Sequence, residues 1–493
     1  MPHDADASPR PRSPARRSAL VFFALLAAYH VNGDFLVGHD ATPNVYLPVV
    51  ILDEGRFTFA PGDPLLSWAL PAGDATRPLP YYLVETRRPD AFVGAYGPGP
   101  GLVALPVFAV LSRASGGLAE RPAWIWYGGK LVASLLTAAS AVFVLLAARR
   151  WLPLEAASGL ALFYGLGTSA FATASQALTQ HAPVLFFLAA ALWLLDGAGR
   201  RRDLAAGLAL GAAVVCRPHC AVLVAPVALA LAWRRRGVPW TFVCGALPMI
   251  AFLLAFDQHY LGHPFRTGQS LLGERFALRT TGSADLWQTP LLEGLAGLLI
   301  SPSRGLLVYT PAFALAFAGI GVAWRDARWR ALRPWSLGCG LLLLLSAKYF
   351  NWWGGWSFGY RYLLDAAPVL TLLMVPALVR FAGRRWLRPA LVVGTTASIG
   401  VQLVGAFLYD VSGWNAGVTE RARPERGPRL EMRDVDDPAH RARLWSIADS
   451  QLVHALRLAP ELRRSKRAGM ARWLDDSASR VGPNTPLDAP AQE

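Results

Sequence analysis

The sequence predicts an all-α polytopic membrane protein with about eleven transmembrane helices and additional juxtamembrane helices on its periplasmic face. Three observations predict it. The first is composition: of 493 residues, 54% are hydrophobic and only 16% charged, with a mean hydropathy of +0.32. A soluble domain carries about 25% charged residues. The second is a series of long apolar runs, such as 131–148 and 305–323, each near the roughly 18–20 residues that cross hydrocarbon as a helix. A buried core helix can also be apolar all round, but a long series of such segments argues against that use. The third is the placing of the arginines, which sit in short clusters between the apolar runs. One count of crossings puts every compact cluster on the same, inner side.

Taken in order, Arg10, Arg12, Arg16 and Arg17 mark residues 1–17 as a cytoplasmic tail. The first span covers about 18–37; Val31-Asn32-Gly33-Asp34 continues it where a signal peptide would show a small-residue cleavage site. Residues 38–121 are too polar and too rich in Pro and Gly to be simple spans. They read as a periplasmic loop with short interfacial helices at 44–52 and 101–111. Spans follow at 123–148, 156–174 and 182–195, the last closed by Arg200-Arg201-Arg202. Segment 204–233 starts and ends at inner clusters, so it holds an even number of crossings. A hairpin turning at Cys216-Arg217-Pro218-His219 satisfies this, because proline cannot continue the helical ladder. Further spans read at 239–256, 305–323, 334–347, 363–378 and 389–408, with a second periplasmic loop at 257–303. The membrane domain is thus 18–409. Residues 410–493 form a charged periplasmic tail, amphipathic around 444–458, with too few apolar residues for a core of its own.

The net charge of +15 would indicate nucleic acid in a soluble chain. Here the basic residues serve topology, and no nucleic-acid partner is expected. The four cysteines all fall in apolar segments, where small buried thiols are ordinary, and neither a disulfide nor a thiolate metal site is expected.

Residues with chemical capacity gather on the outer side. They are His39-Asp40 after the first span, Tyr96-Gly97-Pro98-Gly99-Pro100 leading into an apolar helix, and Gln180-His181 at the head of the 182–195 span. Downstream lie His259, Ser301-Pro302-Ser303-Arg304-Gly305, and the run from Lys348 through Trp352-Trp353-Gly354-Gly355-Trp356 to Arg361-Tyr362. Each has a plain structural use. Histidines cap or pack at interfaces, acids end helices in solvent, and Trp and Tyr form belts in every bilayer interface. A belt, however, does not need three tryptophans among glycines with a lysine and an arginine beside them. Aromatic faces next to cations suit a sugar and a phosphate.

In their order and common face these motifs resemble the GT-C superfamily of integral-membrane glycosyltransferases, specifically the bacterial relatives of dolichyl-phosphate-mannose–protein mannosyltransferases. The resemblance covers about residues 18–409. It implies a sugar taken from a polyprenyl-phosphate donor at the periplasmic face of the bacterial inner membrane and passed to a lipid, glycan or protein acceptor. The chain departs from the family in its first loop, where His39-Asp40 stands in place of the paired acids of many members. No cofactor is required by the pattern, and a divalent metal is admitted without being demanded.

Set against that chemistry, Asp40 is the expected base for the acceptor hydroxyl. Arg361 is the first candidate for the leaving phosphate, with Lys348, Arg304 and Arg217 behind it. His39, Tyr96, His181, His259, Trp352, Trp353 and Trp356 complete the expected substrate-binding set. Asp40 and Arg361 are expected on one cavity about 6–12 Å apart, on opposite sides of a sugar, with Tyr96 and the three tryptophans lining it. A transporter or flippase of a lipid-linked saccharide, or a non-catalytic polysaccharide-assembly subunit, would share most of these features. A transporter favours internal repeats and midplane charges, and neither is evident in the sequence.

Overall fold

The computed structural model describes residues 14–36, 39–61, 63, 79–119, 121–195, 197, 199–411, 413–417, 419–423, 427–431, 433–464 and 466. These residues are overwhelmingly helical. Helices α1 (Pro14–His30), α2 (Thr42–Glu54), α3 (Gly99–Ser115), α4 (Pro122–Ala148), α5 (Leu154–Gly167) and α6 (His181–Leu194) make the first half. The centre holds α7 (Arg200–Cys216), α8 (Ala221–Arg235), α9 (Trp240–Leu261), α10 (Gly268–Thr281) and α11 (Leu291–Ile300). The remainder comprises α12 (Leu306–Tyr309), α13 (Ala314–Arg325), α14 (Arg333–Lys348), α15 (Ala367–Arg380), α16 (Leu387–Leu408) and α17 (Gln451–Arg457). Two antiparallel hairpins interrupt the helices: β1 (Leu83–Glu85) with β2 (Phe92–Gly94), and β3 (Thr419–Arg423) with β4 (Gly427–Glu431).

By length and composition, four helical stretches among the described residues can cross a membrane: Pro122–Ala148, Trp240–Leu261, Arg361–Arg380 and Leu387–Leu408. Of these, α9 and α16 expose apolar residues such as Leu247, Val392 and Val393. An exterior of this kind suits contact with lipid tails rather than water. Shorter apolar helices include α3, α6 and α11; α3 and α6 pack on α4, and α11 packs on α14.

Local chemistry sets the ends of these elements. The 204–233 hairpin turns where it was read: α7 stops at Cys216, Arg217 goes extended, and Pro218 opens a 3-10 turn before α8. The 305–323 segment is not the single helix expected. Thr310 leaves helical geometry (φ −141°, ψ 72°) ahead of Pro311, and a 3-10 turn separates α12 from α13. The clash of a proline ring with its predecessor explains the break. Likewise the 156–174 segment divides, with α5 ending at an extended Thr168 and a π-helical turn at Ala170–Ala174. Segment 257–303 is more ordered than a loop, since it contains α10 and α11.

Residues 44–52 and 101–111 fall inside longer helices, α2 and α3. With the β1–β2 hairpin they bury Val45, Tyr46, Val84, Val93 and Phe108 in a second core over Ile125 and Trp126 of α4. The described part of the C-terminal segment, within 410–466, also departs from expectation: Trp414, Val435 and Leu444 are buried and join the main core.

Candidate active site

Asp40 lies on a 3-10 turn, His39–Ala41, directly before α2. The chain reaches it from α1 through Asn32 and Asp34, and both are held by a buried cation of α4. Lys130 Nζ donates to Asn32 Oδ1 at 2.6 Å and also to the carbonyl of Asp34. The exit from α1 is therefore fixed to the neighbouring helix six residues before the acid.

The Asp40 carboxylate is engaged on both oxygens. Oδ1 accepts from the hydroxyls of Tyr96 (2.5 Å) and Tyr81 (2.8 Å). Oδ2 is paired with Arg361 Nη2, 321 residues away in sequence. Both side chains keep some exposure, 19% for Arg361 and 17% for Asp40. Burial works against ionisation of Asp40, but the Arg361 guanidinium and the two phenols outweigh it and hold the carboxyl below the usual range. Burial, and then the Asp40 charge, push both phenols well above their ordinary value, so Tyr81 and Tyr96 stay protonated as donors.

Arg361 opens a 3-10 turn, Arg361–Ala366, and the same turn carries Asp365 into a second cluster. Asp365 is fully buried. His181 Nδ1 lies 2.9 Å from its Oδ1, and Arg217 Nη1 3.1 Å from its Oδ2. His219 Nε2 stands 3.7 Å away and Cys220 Sγ 3.9 Å. Arg217 Nη1 also sits 2.7 and 3.0 Å from the two ring nitrogens of His181. Its Nε is buried without a partner among the described residues, and its Cζ lies 6.0 Å from the Tyr362 ring. Tyr362 feels the charges of both Arg361 and Arg217, so the two clusters are neighbours across it.

Two links bring the clusters together. Gln180 Nε2 donates to the Tyr96 carbonyl at 2.7 Å, tying the head of α6 to the loop before α3. Gly99 lets the start of α3 lie directly on the end of α7: a Cβ there would stand 2.6 Å from the Cα of Cys216, far inside contact distance. Only glycine permits that approach, and it seats Arg217 beside the Tyr96 loop.

The expected residues divide accordingly. Asp40, Tyr96 and Arg361 form one cluster, and His181 and Arg217 the neighbouring one. Asp40 and Arg361 touch directly and are not separated by the width of a sugar. Arg304 is elsewhere and fully buried. Its Nε donates to Trp353 O (2.8 Å), Nη1 to Ser303 O and Gln451 Oε1 (3.0 Å each), and Nη2 to Gly355 O (3.1 Å) and Asn415 Oδ1 (2.8 Å). All five donors of its guanidinium are thereby consumed. The tryptophans do not line an open cavity with Tyr96. Trp352 and Trp353 are buried, Trp353 Nε1 donates to Asp436 Oδ1 (2.7 Å), and Trp356 Nε1 donates to Asp434 Oδ1 (2.9 Å). Trp352 lies against Trp445 and donates to Glu293. The aromatic loop is thus a dock for the C-terminal segment. His259 is exposed at the end of α9, edge-on to Tyr260. Lys348 ends α14 and makes no ion pair among the described residues. The His39 side chain lies outside the described residues.

Tyr362, part of the Lys348–Tyr362 run, joins the site, as do Asp365, His219 and Tyr81, which were not among the expected site residues. Asp365 carried a signal: an acid three residues into an apolar run is costly to bury and marks a partner. Tyr81, in a polar loop, carried none. Among the described residues, no three or more His, Cys, Asp or Glu side chains gather as a metal would require. No protein-family model matches this chain, and no curated protein matches it.

Proposed function

We propose that the chain is a multi-pass glycosyltransferase of the bacterial inner membrane, with about eleven crossings. In this reading it moves a sugar from a polyprenyl-phosphate donor to an acceptor at the periplasmic face. The observation that carries the proposal is the convergence of Asp40 and Arg361 from opposite ends of the chain, both part-exposed and flanked by Tyr81, Tyr96 and Tyr362. A carboxylate and a guanidinium in one aromatic recess are the groups this transfer needs. Asp40 takes the proton of the acceptor hydroxyl as its oxygen bonds the anomeric carbon. The bond from that carbon to the phosphate oxygen breaks, and the phosphate leaves with the electron pair, its charge met by Arg361. Arg217, buried with a free Nε, stands behind as a second cation.

The test is transfer by membranes containing the full chain, offered a panel of labelled polyprenyl-phosphate sugars. The expected result is transfer from at least one donor by wild type, lowered about a hundredfold or more in Asp40→Asn; no transfer from any donor sinks the reading.

One observation favours a second reading, a transporter or flippase of a lipid-linked saccharide. The Arg217–Asp365–His181 cluster is fully buried within the helical body, where charge relays of transporters lie. Movement of a labelled lipid-linked sugar across proteoliposomes, unaffected by Asp40→Asn, would favour it over transfer.

A further inference from the structure

Arg361 and Asp40 neutralise one another in this structure, which poses a problem for a base. A carboxylate has about four lone-pair sites; the two phenols take both on Oδ1 and the guanidinium takes one on Oδ2, so the one left lies beside a cation that holds down its basicity. Arg361, in contrast, is under-used. It has five donors, of which one goes to Asp40 and one makes a long 3.4 Å contact to the carbonyl of Gly354. The other three have no partner among the described residues, and the side chain is 19% exposed. A guanidinium on a flexible stem can turn to a new anion without any backbone movement.

We propose that the Asp40–Arg361 pair is a closed latch on the catalytic base, opened by the donor's own phosphate, with Tyr81 and Tyr96 as positioning residues that hold Asp40 once Arg361 has turned away. The inference rests on the glycosyltransferase reading and names how its site is switched. The donor's phosphodiester carries one negative charge, as a carboxylate does, but it accepts two parallel hydrogen bonds from a guanidinium where Asp40 Oδ2 accepts one. When Arg361 leaves, Asp40 loses its cation but stays buried, so its affinity for a proton rises. The base is thus armed by the arrival of the donor, and the two phenols keep it from swinging after the cation.

The latch makes a prediction of unusual sign. If Asp40 competes with phosphate for Arg361, removing its charge must tighten phosphate binding. The experiment measures binding of a sugar-free, short-chain polyprenyl phosphate to the full chain in detergent. Asp40→Asn is expected to bind about tenfold more tightly than wild type, since the share of Arg361 free to bind rises, and Arg361→Gln is expected to lose binding. Asp40→Ser carries the same expectation should Asp40→Asn lose its fold. Tyr81→Phe is expected to bind as wild type does while its pH–rate profile moves, the mark of a residue acting through Asp40. If wild type binds and both Asp40 variants bind equally or more weakly, the latch is overturned and the glycosyltransferase reading stands. If neither wild type nor the Asp40 variants bind polyprenyl phosphate, the donor class falls and the latch with it.

Discussion

Arg304 and Arg361 both lie in polar stretches between apolar runs, both neighbour the tryptophan loop, and both were expected to meet a phosphate. The structure gives them opposite uses. Arg304 is fully buried and spends every donor on uncharged oxygens drawn from residues 303, 353, 355, 415 and 451. Arg361 is part-exposed, spends one donor on a carboxylate and one on a long contact, and keeps the rest. A guanidinium saturated by amide oxygens is an element of folding, because exchanging its partners would unmake five hydrogen bonds at once. A guanidinium paired with a single carboxylate can exchange that partner for a ligand of like charge. Donor accounting, more than position, separates a saturated cation from one with donors to spare.

Four experiments break or sharpen that contrast. The largest effect is expected at Asp40. Asp40→Asn should lower transfer by about two to four decades, or roughly 3–5.5 kcal/mol of barrier, with an unchanged melting temperature in detergent. A large loss of melting temperature would place Asp40 on the structural side of the comparison. Next, Arg304→Ala should cost about 3–5 kcal/mol of stability, since it leaves buried acceptors unpaired. Thermal unfolding reads the loss, and a stable but inactive Arg304→Ala protein would make Arg304 a ligand-binding residue after all. Trp353→Phe removes a charge-assisted bond to Asp436 worth about 1.5–3 kcal/mol. It should leave the body folded and speed limited proteolysis within 410–466, whereas unaltered cleavage would show that Asp436 does not hold the segment.

The smallest effect is expected at Tyr81. The folded pKa of Asp40 is depressed, so its ion pair contributes fully above the ordinary carboxylate value of about 3.9 and is lost as pH falls through the lower folded value. The acid limb of kcat/KM in wild type should accordingly lie below that value. Tyr81→Phe deletes one phenol donor and should raise the limb by about half to one pH unit, equivalent to roughly 0.7–1.4 kcal/mol. A limb that does not move would remove Tyr81 from the positioning set.

Parts of this were legible in the sequence because they depend on local pattern. Apolar runs mark α4, α9 and α16, and Pro218 marks the turn between α7 and α8. The breaks at Thr168 and Thr310 were not read. Only Thr310 carries a proline after it, and the run around each is apolar enough to mask the interruption. Asp40, Tyr96 and Arg361 could be picked out by residue type and order. Their direct contact could not, because it depends on how a loop before α2 and a turn before α15 meet across 321 residues. Arg304 was misjudged for a related reason. A charged residue among Ser, Pro and Gly looks solvent-facing, and the acceptors that bury it come from three distant segments. Asp365 was passed over because one acid at the start of an apolar run resembles a helix end, and its partners come from separate segments, His181 at the head of α6 and Arg217 in the extended link after α7.

The clamp at Arg304 also has a consequence for how the chain is made. Gln451, one of its acceptors, follows it by 147 residues. At translation rates of 5–20 residues per second, the guanidinium waits roughly 7–30 s for that partner. Asn415, Asp434 and Asp436 arrive earlier in the same interval, so the donors of Arg304 and the tryptophan loop at 352–356 gain these partners in stages. A segment made after α16, residues 415–451, is therefore what covers Arg304 and the tryptophan loop. A nascent chain stalled before residue 415 would carry a complete set of apolar helices around a wet, unsealed arginine.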